Sequence, residues 1–212
     1  TSVCPNGTNE QYGIDAARPC DVAMSDPMGS CEHGTHVAGI AAGGSYAGMA
    51  SDGASAVYDG VAPGADIIAV QVFSRFNSTT NCGSPANTPC YLSYSSDQLR
   101  GLNWLAGVVG TYNLVSVNMS LGGTIKSTSA CDSDSRKSGI DNLRAAGVAT
   151  FIASGNAYFT DGLSYPACIS TAISVGSVYD GSLGATPIDT VSSFSNSSAL
   201  LSMLAPGQWI ES

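Results

Sequence analysis

The sequence predicts an α/β fold built on a mostly parallel sheet, from two observations. Short apolar runs recur along the chain, at Ala65–Phe73, Leu114–Leu121, Val148–Ala153 and Ala172–Val178, each of the length and composition of a strand buried on both faces. Between them lie stretches with helical periodicity, and strands alternating with helices form parallel sheets. The length of 212 residues suits one domain.

Residues 1–31 show no periodicity and hold Gly, Pro, Asn and three cysteines, which reads as a long ordered loop. Residues 33–42 are alanine-rich and stop at Gly43-Gly44, a short helix. Residues 44–63 are rich in Gly, Ser and Ala and read as a second loop. After the strand Ala65–Phe73 comes a loop containing Cys82 and Cys90. Ser95 followed by Gln98 makes a capping box, opening a helix with Leu99, Leu102, Ala106 and Val109 on one face. The strand Leu114–Leu121 ends at Gly122-Gly123. A helix over Ser133–Gly147 sets Ile140, Leu143 and Ala146 on one side, with Gly147 just past its end. Leu200–Leu204 is a fifth strand, closed by Ala205-Pro206-Gly207.

Composition excludes several functions. Charged residues are only 11% of the chain, against about 25% in ordinary soluble domains, so Ser, Thr, Asn and Gly must cover much of the surface. Seven basic residues against 16 acidic ones leave a formal charge of −9. Nucleic-acid binders draw their affinity from Lys and Arg on phosphates, so no nucleic-acid partner is expected. No apolar run approaches the roughly 18 residues of a membrane helix, and no membrane partner is expected. The N-terminus, Thr1-Ser2-Val3-Cys4-Pro5, does not have the pattern of a signal peptide.

Seven cysteines in a chain of low charge point to an exported, extracellular protein with disulfides. No two have the spacing of a zinc finger or ribbon. Cys82 and Cys90 bracket a Pro-rich loop that a bridge would close. Cys131 and Cys168 lie just past strand ends on the same side of the sheet and form the second expected pair. Cys4, Cys20 and Cys31 then supply one pair and one remaining thiol, either free or paired with a cysteine outside these 212 residues.

Three segments could carry chemistry. Glu32-His33-Gly34-Thr35-His36 holds both histidines, so any histidine base is one of these two. Ser154-Gly155-Asn156 follows the strand Val148–Ala153 at the sheet end where α/β proteins bind ligands. There the Asn156 amide could donate to a developing oxyanion, and Gly155 would let a substrate backbone approach. Ser120-Leu121-Gly122-Gly123 ends the preceding strand, where free backbone groups could pair with an extended peptide. Taken singly, a His-x-x-His pair, a Gly-Asn turn and a strand end are each ordinary structural features.

Together and in this order they resemble the subtilisin-like serine peptidases, the subtilase family. His33-Gly34-Thr35-His36-Val37-Ala38-Gly39 looks like that family's histidine motif, and Val61-Ala62-Pro63-Gly64-Ala65 like the segment after its helix. Val117–Gly123 resembles the substrate-binding strand, and Ala153-Ser154-Gly155-Asn156 the oxyanion segment. Tyr165-Pro166-Ala167 and Ala205-Pro206-Gly207 match later landmarks, so the likeness covers residues 32–210.

The resemblance implies a three-layer sandwich around the sheet, with His33 as general base, His36 a structural neighbour and Asn156 the oxyanion donor. Ser120, Leu121 and Gly122, with Ala153, Ser154 and Gly155, would line the peptide cleft. It implies polypeptide substrates, an inhibitory propeptide as a partner, no required cofactor and no catalytic metal. Structural calcium is a family feature that loops carrying Asp52 and Asp59 could serve. His33 and Asn156 should face one cleft floored by Ser120–Gly122, their functional atoms on the order of 6–10 Å apart.

A subtilase triad runs Asp, His, Ser in the chain. No strand with the expected aspartate precedes His33, and Asp15, Asp21 and Asp26 lie in the Cys-containing loop without the usual turn residues. No Gly-Thr-Ser-Met setting follows Pro206. The expectation is therefore a partial peptidase domain, incomplete at both ends: 1–31 a loop insertion, 32–212 a core lacking the first strand and the nucleophile helix, and inactive by itself. The competing reading is a non-catalytic peptide-binding module of the same fold. A metal site from Cys31, Glu32, His33 and His36 is weaker, because Gly34 stands where a zinc hydrolase carries its glutamate base. A Cys-His peptidase using Cys31 is no stronger, since adjacent helical residues diverge. Asn6, Asn77 and Asn196 each begin a glycosylation pattern.

Overall fold

The computed structural model describes residues 3–17, 31–49, 55–181, 186–208 and 210, so the expectations placed on Cys20, Asp21, Asp26 and Asp52 lie outside the described residues. The chain divides into two compact units, residues 1–97 with 211–212, and residues 98–210.

In the first unit, residues 3–17 form turns and bends, as their composition predicts. The Asn6 side chain accepts from the Thr8 amide across Gly7, whose φ is +73°. Helix α1 spans His33–Ala42 and ends at Gly43. Its last carbonyls find donors further along the chain. Val61 N–H donates to Ile40 and Ala62 N–H to Ala41, while Gly60 N–H donates to Gly43. A side chain at residue 60 would place its Cβ 2.4 Å from the Gly43 nitrogen, so only glycine permits this approach.

Between these points the predicted loop contains a hairpin, β1 (Tyr46–Met49) against β2 (Ser55–Tyr58). Tyr46 and Val57 remain exposed, so the hairpin buries little and leaves no apolar alternation in its sequence to read.

The predicted buried strand Ala65–Phe73 is not one. Residues 65–72 have no strand partner among the described residues, and Ile67 and Val70 stay open to solvent. A parallel strand is defined by its neighbours, and an apolar run supplies none by itself. Pairing starts at Phe73, where β3 (Phe73–Phe76) runs antiparallel to β4 (Cys90–Ser93). Between them lie a helical turn, α2 (Thr79–Cys82), and a short 3-10 turn. The expected Cys82–Cys90 disulfide closes this loop.

The second unit contains the parallel sheet. Helix α3 (Ser95–Tyr112) leads to strand β5 (Ser116–Met119) and a short strand β6 (Lys126–Ser127). Helix α4 (Lys137–Ala145) and strand β7 (Ala149–Ala153) follow. Strand β8 (Leu163–Ser164) pairs antiparallel with β6, and β9 (Ile173–Tyr179) and β10 (Met203–Gln208) complete the unit. The sheet order is β10-β9-β7-β5, every pair parallel, which agrees with the α/β prediction. Ala205-Pro206-Gly207 does not close the last strand but lies within it. Proline is tolerated because β10 is an edge strand, and the register shifts at this point.

The predicted core face of α4 is Ile140 and Leu143, both fully buried; Ala146 is exposed. The helix closes as its glycine predicts. Gly147 has φ +83°, Val148 N–H donates to Leu143 and Gly147 N–H to Arg144, while buried Val148 follows directly. This is the Schellman arrangement, which satisfies carbonyls that the helix itself cannot.

The helix starts four residues later than predicted because Asp134 holds the preceding segment as a turn. Its carboxylate accepts from Arg136 N–H at 2.9 Å and from the Arg136 guanidinium at 2.8 and 2.6 Å. Arg136 also donates to Gln98 Oε1 at 2.7 Å, so the expected capping glutamine is buried in a different partnership. The predicted Cys131–Cys168 disulfide joins this turn to the segment before β9. It closes a loop of 37 residues against 8 for the other bridge, and loop entropy values the two at about 4 and about 2.5 kcal/mol. Asp132 accepts from Ser170 N–H and Oγ, adding a second tie between the same segments.

Helices α3 and α4 touch at Gly139, where a Cβ would come 2.8 Å from Leu102 Cβ and 3.2 Å from Leu99 Cδ1. Gly139→Ala gains about 1 kcal/mol of helix preference but forces apart a contact worth about 1–3 kcal/mol. The variant should therefore unfold at lower urea concentration than the unsubstituted protein; a higher midpoint would show that the helices are not in close contact.

The Arg136 hydrogen bonds hold the Asp134 carboxyl below its ordinary value of 3.8, outweighing the opposing effect of burial. A depressed carboxylate stabilises the fold above its unfolded pKa, and that stability disappears as pH falls through the folded value. Asp134→Asn should cost about 1–3 kcal/mol near neutral pH. The difference from the parent should shrink in acid, below the ordinary carboxylate range. A pH-independent difference in urea unfolding would contradict this.

Candidate active site

Strands β5 and β7 are paired with Met119 opposite Ile152, so the segments that leave them at their carboxyl ends emerge side by side. These segments are Ser120–Gly122 and Ser154–Asn156. The structure thus brings together, within the second unit, all of the sequence-predicted residues except His33.

Ala153 ends β7 opposite Val175 of β9, and Ser154 N–H continues that ladder by donating to the Val175 carbonyl. The Ser154 side chain is buried, facing Ser195 Oγ at 3.5 Å. At Gly155 the chain turns with φ +106°, a conformation that favours glycine. A Cβ there would lie 2.4 Å from both Asn196 Nδ2 and Ser164 Oγ. Gly155 is expected to give a substrate room; its bare Cα already makes room for Asn196 and Ser164. Asn156 follows as an exposed residue, and its side chain makes no hydrogen bond among the described residues.

Sequence reasoning missed the residue that organises this turn. Asn196 is fully buried, with Nδ2 donating to the Ser154 carbonyl at 3.0 Å and to Ser164 Oγ at 2.9 Å. Its Oδ1 accepts from Ala157 N–H at 2.9 Å and Phe159 N–H at 3.1 Å, and its own N–H donates to the Gly155 carbonyl. Its glycosylation pattern is therefore not usable in the folded chain, because no face of the amide is open. The only sequence signal was Asn in a Ser-rich stretch, which a surface loop shares.

Beside this turn, no backbone hydrogen bond forms on Ser120, Leu121 or Gly122 among the described residues. Gly123 N–H donates to the Tyr165 carbonyl, which pins the far end of the segment. Ser120 Oγ accepts from Asn118 Nδ2 at 3.0 Å. Further out, Lys126 pairs with Asp161 and lies over the Phe159 ring at 5.5 Å from its centroid.

In the first unit, His33 is the first residue of α1 and is exposed, as is His36. The Glu32 side chain makes no capping bond to the helix, and His36 N–H donates to the Glu32 carbonyl. Cys31 is in a disulfide, so its sulfur is neither a free nucleophile nor a thiolate ligand. Among the described residues no group of three or more His, Cys, Asp or Glu gathers in a way that could hold a metal. Asp59, one of the calcium candidates, accepts from Ser45 Oγ.

Residues 12–211 match the Subtilase family. Over 206 residues the chain is 29% identical to alkaline protease 1 of Aspergillus flavus, covering 96% of this chain and 41% of that protein. Thermitase of Thermoactinomyces vulgaris is 31% identical over 188 residues, 89% of this chain and 53% of the relative. The solved structure of Sphericase is similar at 28% identity with a TM-score of 0.52, over 77% of this chain and 44% of that one. The chain thus spans about half, or less, of the length of these relatives. Its fold is an incomplete subtilisin-like α/β fold, and the chain belongs to the subtilase family.

Proposed function

We propose that this chain supplies the general base and the oxyanion side of a secreted serine endopeptidase site. The observation that carries the reading is Asn156, whose side-chain amide has no hydrogen-bond partner among the described residues, in the segment that leaves β7 beside the one that leaves β5, where the backbone of Ser120–Gly122 is open. An extended peptide pairing with Ser120–Gly122 would lie beside that amide, in a cleft lined by Ser120–Gly122 and Ala153–Gly155. As a serine hydroxyl attacks the peptide carbonyl, His33 takes its proton, and negative charge collects on the carbonyl oxygen. The Asn156 NH₂ donates to that oxygen, and His33 then protonates the departing amine.

The substrates are polypeptides, and an inhibitory propeptide would occupy the same groove. The chemistry uses side chains and backbone only, so the reading requires no cofactor. Structural calcium enters no step of it. Residues 1–31 are read as a loop insertion ahead of the peptidase core at 32–212.

Asn156→Ala in the protein that carries this chain should lower kcat on a peptide amide by about 10²–10³ with little change in KM, the size known for a subtilisin oxyanion donor and taken from there. An unchanged kcat would remove Asn156 from the site. His33→Ala should abolish turnover. Full activity in that variant would instead favour a different base, and tight peptide binding without any turnover in the parent would favour the non-catalytic module. The 212-residue chain alone, which contains no Gly-Thr-Ser-Met setting, should not hydrolyse peptides. Hydrolysis that His33→Ala removes would overturn this.

A further inference from the structure

We propose that Asn196 is the positioning residue of the oxyanion donor: it fixes the backbone on both sides of Asn156 and so sets where the Asn156 amide points. The inference rests on the reading of Asn156 as that donor.

A primary amide has two N–H donors and an oxygen with two lone pairs. Asn196 uses all four, on Ser154, Ser164, Ala157 and Phe159, and its backbone N–H takes Gly155 as well. The partners also fix which way round the amide sits, because a carbonyl can only accept and a backbone N–H can only donate. Within the turn the bonds fall on residues 154, 155, 157 and 159 and skip 156, whose own side chain has no hydrogen-bond partner among the described residues. One side chain is saturated so that its neighbour in the turn can be left open.

No other residue reproduces this. Aspartate loses both donors, alanine loses all four bonds, and glutamine brings an extra methylene into a site with no exposed surface. The clamp is itself held by the sheet. Ser195 Oγ accepts from Ser177 N–H of β9 at 2.9 Å. Tyr158 N–H donates to Phe194, Ser197 N–H to Phe159 and Gly162 N–H to Ser197, so the segment 194–197 runs along the whole turn. A displacement of the turn by about 1 Å would misplace the Asn156 amide, and an error of that size can cost about 10²-fold in rate.

The test is a double-mutant cycle in the protein that carries this chain, measured as kcat and KM on one peptide amide. Asn196→Ala should lower kcat by about 10–100-fold with KM within about 3-fold, because the binding groups at Ser120–Gly122 are untouched. In the Asn156→Ala background, the same change should lower kcat by no more than about 3-fold, since the group being positioned is gone. Losses that multiply fully, or an Asn196→Ala variant with unchanged kcat, would overturn the inference while leaving the oxyanion reading intact. An Asn156→Ala variant with full kcat would sink that reading first. Asn196→Asp, isosteric and able to keep the two bonds to Ala157 and Phe159, should show the same split if the alanine variant does not fold. Amide hydrogen exchange gives an outcome without activity: Ala157 and Phe159 should be protected in the unsubstituted protein. Free exchange at both would overturn the clamp.

Discussion

Satisfying buried hydroxyl and amide groups is the constraint on which the second unit depends. Ser154, Ser164, Ser174, Ser192, Ser195 and Asn196 are all buried, in positions that an ordinary α/β core would fill with aliphatic side chains. A buried polar group without a partner costs on the order of 1–3 kcal/mol, so several unsatisfied ones would consume the stability of a domain. These six are paired instead, while Thr150 Oγ1 and Gln208 Oε1 of the same unit are buried without a partner among the described residues. Ser174 and Ser202 exchange backbone and hydroxyl bonds between β9 and the approach to β10, and Ser177 meets Ser192 at 2.8 Å. Such contacts are directional in a way that apolar packing is not, and they fix the loops beyond the strand ends as well as the strands.

The same constraint explains what could be read in the sequence. Strands β5, β7 and β9 and helix α4 were legible because apolar periodicity and the Gly147 stop report local preference directly. The disulfides Cys82–Cys90 and Cys131–Cys168 were legible because a turn-rich loop and matched strand ends bring those cysteines close. Composition assigns serine and asparagine to the surface, where most of the described ones lie exposed or half-buried; Ser154, Ser164, Ser174, Ser192, Ser195 and Asn196 are the buried exceptions. Asn196 does not differ in sequence from a solvated loop residue, because its burial is decided by a partner 42 residues away.

The segment before β3 fails for the complementary reason. Residues 65–72 have every local mark of a core strand, yet a ladder is a property of two segments, and none beside this one is available among the described residues. The hairpin of β1 and β2 is the reverse case, paired along four positions with little apolar surface to advertise it. Local pattern therefore settles neither burial nor pairing where a partner segment decides both, and the residues of the site depend on pairing. Ser120–Gly122 and Ser154–Asn156 lie together only because Met119 stands opposite Ile152.

The roles of glycine and asparagine in the turn after β7 follow from this geometry. Gly155 is required twice over, by its positive φ and by the atoms that stand where its Cβ would be. The atoms are Asn196 Nδ2 and Ser164 Oγ, so the glycine and the clamp are parts of one device: a side chain at 155 would expel the group that holds the turn. Asn156 and Asn196 are the same residue type with opposite accounts. The buried one has every donor and acceptor engaged, which makes it rigid and chemically silent. The exposed one makes no side-chain hydrogen bond among the described residues, which leaves its NH₂ open for the role proposed for it. Preorganisation of this kind separates holding from acting, since a donor that also held the turn would have to break a structural bond each time it met an oxyanion.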